Sequence, residues 1–172
     1  NSQFIVNASQ QLQLNSTGTA TSYLALTTSL PMLDNTEWQF YIKLNFAPSS
    51  SNYARVYLVS DQQNLKGVLN GYYVQFGETG SNDAIEIFKQ TGTTSVSVAR
   101  GTNGFIATAS TISVKITRDN TGLWSIYADA AAGTNFTLQS SGTDATINSG
   151  SYFGLSCTYT SSNATGFFFD NF

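Results

Sequence analysis

Trp38-Gln39-Phe40-Tyr41-Ile42-Lys43-Leu44-Asn45-Phe46 sets apolar residues at every second position, with Gln39, Tyr41, Lys43 and Asn45 between them. Successive side chains of a strand point to opposite faces, so this stretch predicts a strand with one buried face. The same period recurs as Ala54, Val56, Leu58, as Tyr72, Val74, Phe76, and as Ile85, Ile87. It returns as Ile112, Val114, Ile116, as Trp124, Ile126, Ala128, as Phe153, Leu155, Cys157, Tyr159, and in the run Phe167 to Phe169. Shorter strands are predicted near Phe4 to Val6, Leu12 to Leu14, Tyr23 to Leu26, Ser95 to Ala99 and Phe136 to Leu138.

Turn sequences separate these runs: Ser49-Ser50-Ser51-Asn52, Asn70-Gly71, Glu78-Thr79-Gly80-Ser81-Asn82-Asp83, Asp119-Asn120-Thr121-Gly122 and Asn148-Ser149-Gly150. Such residues tolerate positive φ or bond their own backbone. No segment of useful length has helical periodicity, and Gly133 ends the helix-friendly Ala128 to Ala132 stretch within about one turn. Closely spaced strands with turns of this kind predict one all-β domain over residues 1–172, an antiparallel sandwich or barrel.

Composition narrows function. Only 10% of the 172 residues are charged, against roughly a quarter in an average soluble domain, and Ser and Thr (22 each) supply the polarity instead. A hydroxyl-rich, weakly ionic surface suits a secreted protein, and a start at Asn1 with no signal-like segment reads as a mature or excised piece. Seven basic against ten acidic residues, with no basic cluster, exclude nucleic-acid backbone binding. The chain has no His, which removes the usual proton shuttle and the commonest transition-metal ligand. The single Cys157 excludes an internal disulfide, and no stretch has the apolar length of a membrane span.

Several pieces resemble the concanavalin A-like lectin/glucanase superfamily, in the manner of the laminin-G-like jelly-roll modules of secreted bacterial proteins. Glu37 to Phe46 resembles an early strand of that fold. Gly166-Phe167-Phe168-Phe169-Asp170-Asn171-Phe172 looks like its last strand. Thr111 to Asp119 followed by Gly122 to Tyr127 is similar to its strand, D-x-x-G turn and Trp-containing strand. The resemblance implies an all-β jelly roll of two antiparallel sheets and a secreted context.

Glycoside hydrolases of the family 16 type on this fold carry an E-x-D-x-E strand, whose alternate carboxylates serve as nucleophile and acid. This chain has no such motif. Its nearest approach, Asp83-Ala84-Ile85-Glu86, sends the two carboxylates to opposite faces of a strand, and only Glu37, Glu78 and Glu86 are available as glutamates. The expectation is therefore a protein that is not an enzyme and needs no cofactor.

If the alternating residues named above form the core, Tyr41, Lys43, Arg55, Tyr57, Tyr73 and Gln75 point outward. Sugar C–H faces stack on aromatic rings, and planar guanidinium and amide groups bond vicinal hydroxyls, so these six are the expected glycan-binding face. The same residues also serve as ordinary cross-strand pairs on a solvated sheet. On the binding reading, Tyr57→Ala with Tyr73→Ala should abolish binding and leave the melting temperature nearly unchanged.

Structural calcium would draw roughly six to eight oxygens from carboxylates, amides and carbonyls. Asp34 and Asp170 could meet across a sheet edge, Asp83 closes the oxygen-rich loop from Glu78, and Asp61 with Asn64 offers another group. Trp38, Trp124 and Cys157 lie in phase with core residues and read as packing. The expected function is a non-catalytic, secreted carbohydrate- or polysaccharide-binding module, attached to other domains of a parent protein. A structural or adhesion module is the main alternative, and a glycosidase or lyase with an unrecognised carboxylate pair is the other.

Overall fold

The computed structural model describes residues 3–172, so the first two residues of the predicted 1–172 domain lie outside it. Among the described residues thirteen strands form two sheets in which every pairing is antiparallel. One sheet runs, in spatial order, β1 (Phe4–Val6), β2 (Leu12–Leu14), β13 (Phe167–Asp170), β4 (Thr36–Leu44), β9 (Ser110–Arg118), β10 (Leu123–Asp129), β11 (Thr137–Thr143). The other runs β3 (Ala20–Leu30), β12 (Gly150–Tyr159), β5 (Tyr53–Ser60), β6 (Leu69–Phe76), β7 (Ile85–Gly92), β8 (Thr94–Arg100). Among the described residues the sole helix is one 3-10 turn, Ser161–Asn163.

The period-two residues face one another between the sheets. Phe40, Ile42, Ile112, Val114, Ile116, Trp124 and Ile126 come from the seven-stranded sheet, and Ala54, Val56, Leu58, Tyr72, Val74, Phe76, Ile85, Ile87, Leu155 and Cys157 from the six-stranded one. Each is almost wholly removed from water, and apolar burial on this scale is what holds two sheets face to face. Trp124 is completely buried, its Nε1–H donates to the Asp144 carbonyl at 3.0 Å, and Trp38 stacks on it at 5.8 Å. Cys157 is buried in this core, which pushes its thiol up out of the reactive range.

Local chemistry makes the turns. Asp119 accepts the N–H groups of Thr121 (2.8 Å) and Leu123 (2.9 Å), and Gly122 sits at φ +81° where an L side chain would be strained. The Ala128 to Ala132 stretch forms no helix. Asp129 accepts the N–H groups of Ala131 and Asn135, both at 2.8 Å, and Ala132 turns to φ +56°. Strand β3 runs well beyond the predicted Tyr23 to Leu26. Ser22 occupies an inward position, bonded to the Tyr159 hydroxyl at 2.7 Å, and so breaks the apolar alternation by which a sequence reveals a strand. At Gly142 of β11 the two sheets approach so closely that a Cβ would overlap the Val98 carbonyl.

Candidate functional site

Chain order does not keep the six predicted face residues together. The chain crosses from one sheet to the other between β4 and β5. Tyr41 and Lys43 therefore lie on the outer face of the seven-stranded sheet, with Lys43 Nζ 5.3 Å from the Phe168 ring centre. Arg55, Tyr57, Tyr73 and Gln75 lie on the outer face of the six-stranded sheet. The expected single face is two faces separated by the core.

Register then assembles what the six-stranded sheet carries outward. One cross-strand row reads Tyr23, Ser156, Arg55, Gln75, Glu86, Arg100, and the next reads Ala25, Gly154, Tyr57, Tyr73, Phe88, Ser97. In the first row Arg55 donates from Nε to Gln75 Oε1 at 2.9 Å, and its guanidinium lies over the Tyr73 ring at 4.5 Å and the Tyr53 ring at 5.2 Å. In the second, Tyr57 and Tyr73 are 5.1 Å apart and Tyr73 stacks on Phe88 at 5.3 Å.

These rings are not an open platform. The connection between β5 and β6, residues 61–68, folds back over the sheet and drives Leu65 onto Tyr57 and Tyr73. Both tyrosines are left 1% exposed, so a Tyr57→Ala, Tyr73→Ala pair would damage a small second core instead of only removing a binding surface. Burial raises both phenol pKa values, partly offset by the adjacent Arg55 charge. The connection is pinned at its ends. Asp61 accepts the backbone and side-chain N–H groups of Asn70 (2.7 and 2.8 Å), and Asn64 accepts the Lys66 N–H at 3.2 Å.

Between this connection and the sheet lies a cavity of about 400 Å³. Its floor is Ser156 and Thr158 of β12 with Arg55 and Tyr57 of β5. Thr21, Tyr53, Gln90 and Thr93 form its sides, and Leu65 to Val68 its overhanging wall. Gln90 is buried and fixed, accepting the Tyr57 hydroxyl at 3.1 Å and donating to the Gly92 carbonyl at 2.9 Å. The Thr21 and Thr158 hydroxyls bond each other at 2.9 Å, and Lys66 Nζ reaches the Thr21 carbonyl at 3.4 Å. The cavity thus presents hydroxyls, an amide, two cations and an aromatic edge on a rigid sheet.

Sequence reasoning found Arg55 and Tyr57 of this set but missed Lys66, Gln90, Ser156, Thr158 and Thr21. The strands of Thr21, Gln90, Ser156 and Thr158 come together only through long-range pairing, and Lys66 reaches them on the connection 61–68. One local signal was present: Leu65, a lone large apolar residue among Gln62, Gln63, Asn64, Lys66 and Gly67, is hard to leave in water.

The carboxylates named for calcium do not meet. Asp34 accepts Arg118 Nη1 at 2.7 Å at one end of β4, whereas Asp170 pairs with Tyr41, roughly 16 Å further along that strand. Asp83 is buried elsewhere, one oxygen accepting the Glu78 N–H at 2.7 Å and the other without a partner. Beside this loop Arg100, at the end of β8, bonds Glu78 at 2.6 and 2.8 Å, Glu86 at 2.6 Å and the Asn82 carbonyl at 3.0 Å. A guanidinium inside the chain thus meets the charge of both glutamates, leaving one free buried oxygen where calcium would need about six to eight donors. Among the described residues no cluster of three metal-ligating side chains occurs, and the arrangement does not fit a calcium site at these positions. The same clamp commits Glu78 and Glu86 to one arginine.

No family model and no curated protein matches the chain. Solved structures do. The chain is similar to the carbohydrate recognition domain of Emp47p (TM-score 0.66, 15% identity, covering 98% of this chain and 82% of that one). It is similar to the exoplasmic/lumenal domain of VIP36 in its Ca2+/Man-bound form (0.67, 13%, 98% and 78%). A third similar structure is basic winged bean lectin with Tn-antigen (0.57, 13%, 98% and 86%). At these identities the likeness is one of fold: two antiparallel sheets in a concanavalin A-like, legume-lectin-like sandwich.

Proposed function

We propose that this chain is a non-catalytic carbohydrate-binding module of a secreted protein, its 172 residues acting as one domain, with the ligand seated in the cavity on the outer face of the six-stranded sheet. The observation that carries the reading is the cavity itself. At about 400 Å³ it has the size of a small-molecule site, and its polar groups are pre-ordered by hydrogen bonds on strands. Hydroxyl, guanidinium and ammonium donors beside the half-buried Tyr53 ring suit a polyhydroxylated ring with an apolar face. Similar structures described as a carbohydrate recognition domain, or solved with mannose, support the same ligand class. The weakly charged, Ser- and Thr-rich composition supports secretion.

The test is a glycan and polysaccharide binding screen on the folded chain, in calcium and in chelator, followed by titration of the best ligand. Tyr53→Ala, on the cavity side, should weaken binding about tenfold, the equivalent of roughly 1.4 kcal/mol of lost contact, with little change in melting temperature. A folded chain that binds no glycan in either condition would overturn the proposal in favour of a structural or adhesion module.

A further inference from the structure

Of the seven basic residues, four form ion pairs: Lys89 with Asp144, Arg100 with Glu78 and Glu86, Lys115 with Glu37, and Arg118 with Asp34. Lys43, Arg55 and Lys66 form none among the described residues, and two of these three, Arg55 and Lys66, line the cavity on the six-stranded sheet. Among the described residues no Asp or Glu lines it. The carboxylate nearest in the cross-strand row, Glu86, lies beyond Gln75 and is taken by Arg100. In a chain of net charge −3, this concentrates positive potential in a concave, partly desolvated site.

The arginine is also pre-set. Its Nε is spent on Gln75, and its plane is held against the Tyr73 and Tyr53 rings. Neither its terminal N–H groups nor the exposed Lys66 ammonium faces a carboxylate among the described residues. A guanidinium fork of that kind matches a planar carboxylate or a sulfate in two-point contact, and an ammonium across the cavity adds a second positive charge. We infer that the cavity selects an anionic sugar unit, a uronate or a sulfate ester, over a neutral one. This inference rests on the carbohydrate reading above and narrows it.

The experiment is isothermal titration or affinity electrophoresis with matched polymers. Polygalacturonate is compared with its fully methyl-esterified form, and dextran sulfate with dextran. Poly-glutamate serves as a non-sugar polyanion. Binding to one charged polymer, at least about tenfold tighter than to its neutral partner and weakening with salt, is the expected result, and which pair responds distinguishes carboxylate from sulfate. Arg55→Gln and Lys66→Gln should each lower that affinity about tenfold or more, while Lys43→Gln, the same charge change on the opposite sheet, should not. Lys66 sits on an exposed loop, so its variant reports even if Arg55→Gln perturbs folding. Tight binding of neutral polymers with no preference for charge would overturn the anionic inference and leave the carbohydrate reading standing. Binding to none of the four polymers would overturn the anionic inference, and a blank in the wider glycan screen as well would end both. Equal loss in Lys43→Gln, or equal binding of poly-glutamate, would overturn the assignment to this cavity in favour of general charge attraction.

Discussion

Tyr73 decides between two pictures of the six-stranded sheet. On alternation alone it is an outward ring, and truncating such a side chain on a solvated surface changes stability by no more than about 0.5 kcal/mol. In the structure it is 1% exposed, stacked on Phe88, tilted against Tyr57, overlaid by Arg55 and capped by Leu65. It sits on β6, between β5 and β7, where the backbone is paired on both sides and cannot collapse into the space left by the ring. Removing a large buried aromatic side chain costs about 3–5 kcal/mol, which includes lost transfer free energy and the residual cavity. For a chain of this length each kcal/mol lowers Tm by about 2–4 °C, so Tyr73→Ala should lower it by roughly 6–20 °C. Tyr73→Phe keeps the ring and its packing and loses only the hydroxyl, so it should cost no more than about 1 kcal/mol.

Thermal and urea unfolding, followed by circular dichroism, measure both variants. A Tyr73→Ala loss below about 2 °C would refute the covered-sheet reasoning, because it is what an exposed ring would give. A double-mutant cycle sharpens the test. Leu65 and Tyr73 belong to the same small cluster, so the cost of the Leu65→Ala, Tyr73→Ala pair should fall short of the sum of the singles by about 0.5–3 kcal/mol. Strict additivity would mean that the connection does not rest on the ring.

Two further predictions concern charge. Burial pushes the Tyr72 phenol up to about 12, reinforced by its bond to Asp144, so the neutral form's stabilisation is whole below pH of about 10 and is lost between there and about 12. At the acid end burial of Asp144 opposes its charge, but bonds from Lys89, Thr146 and Tyr72 outweigh this and hold the carboxyl well below its usual range. Its contribution is therefore present above pH of about 4 and is lost as the pH falls through its depressed folded value. Tyr72→Phe should flatten the alkaline limb and Asp144→Asn the acid limb of the urea midpoint against pH, and unchanged limbs would refute the cluster's role. Arg100→Gln, which strands Glu78 and the largely buried Glu86, should cost about 2 kcal/mol in urea unfolding, whereas chelator should leave the parent chain's midpoint where it is. A parent midpoint that falls in chelator would show that a bound metal stabilises the fold and would refute the account in which Arg100 alone balances those carboxylates.

The two sheets were legible because burial on one side writes itself into sequence with period two: Phe40, Ile42, Val56, Val74, Val114 and Ile126 all face inward as the alternation requires. Strand β3 was only half legible, since its inward Ser22 is satisfied by Tyr159, a partner 137 residues away. The same distance in sequence hid the site. Tyr41 and Arg55 read as neighbours because their strands are consecutive, yet consecutive strands in a sandwich often cross between sheets, and alternation carries no record of which sheet a strand joins. The cavity needs two facts that no local pattern holds: that β12 lies between β3 and β5, bringing Thr158 to Thr21 and Tyr53, and that Leu65 closes over the sheet. The first is a matter of long-range register and the second of one buried side chain in a polar connection. On the proposed reading, binding and folding are coupled here. The wall that carries Lys66 to the cavity is held down by Leu65, itself part of that wall, so on the proposed reading Leu65→Ala should lower both stability and ligand affinity while leaving every polar group of the cavity in the sequence.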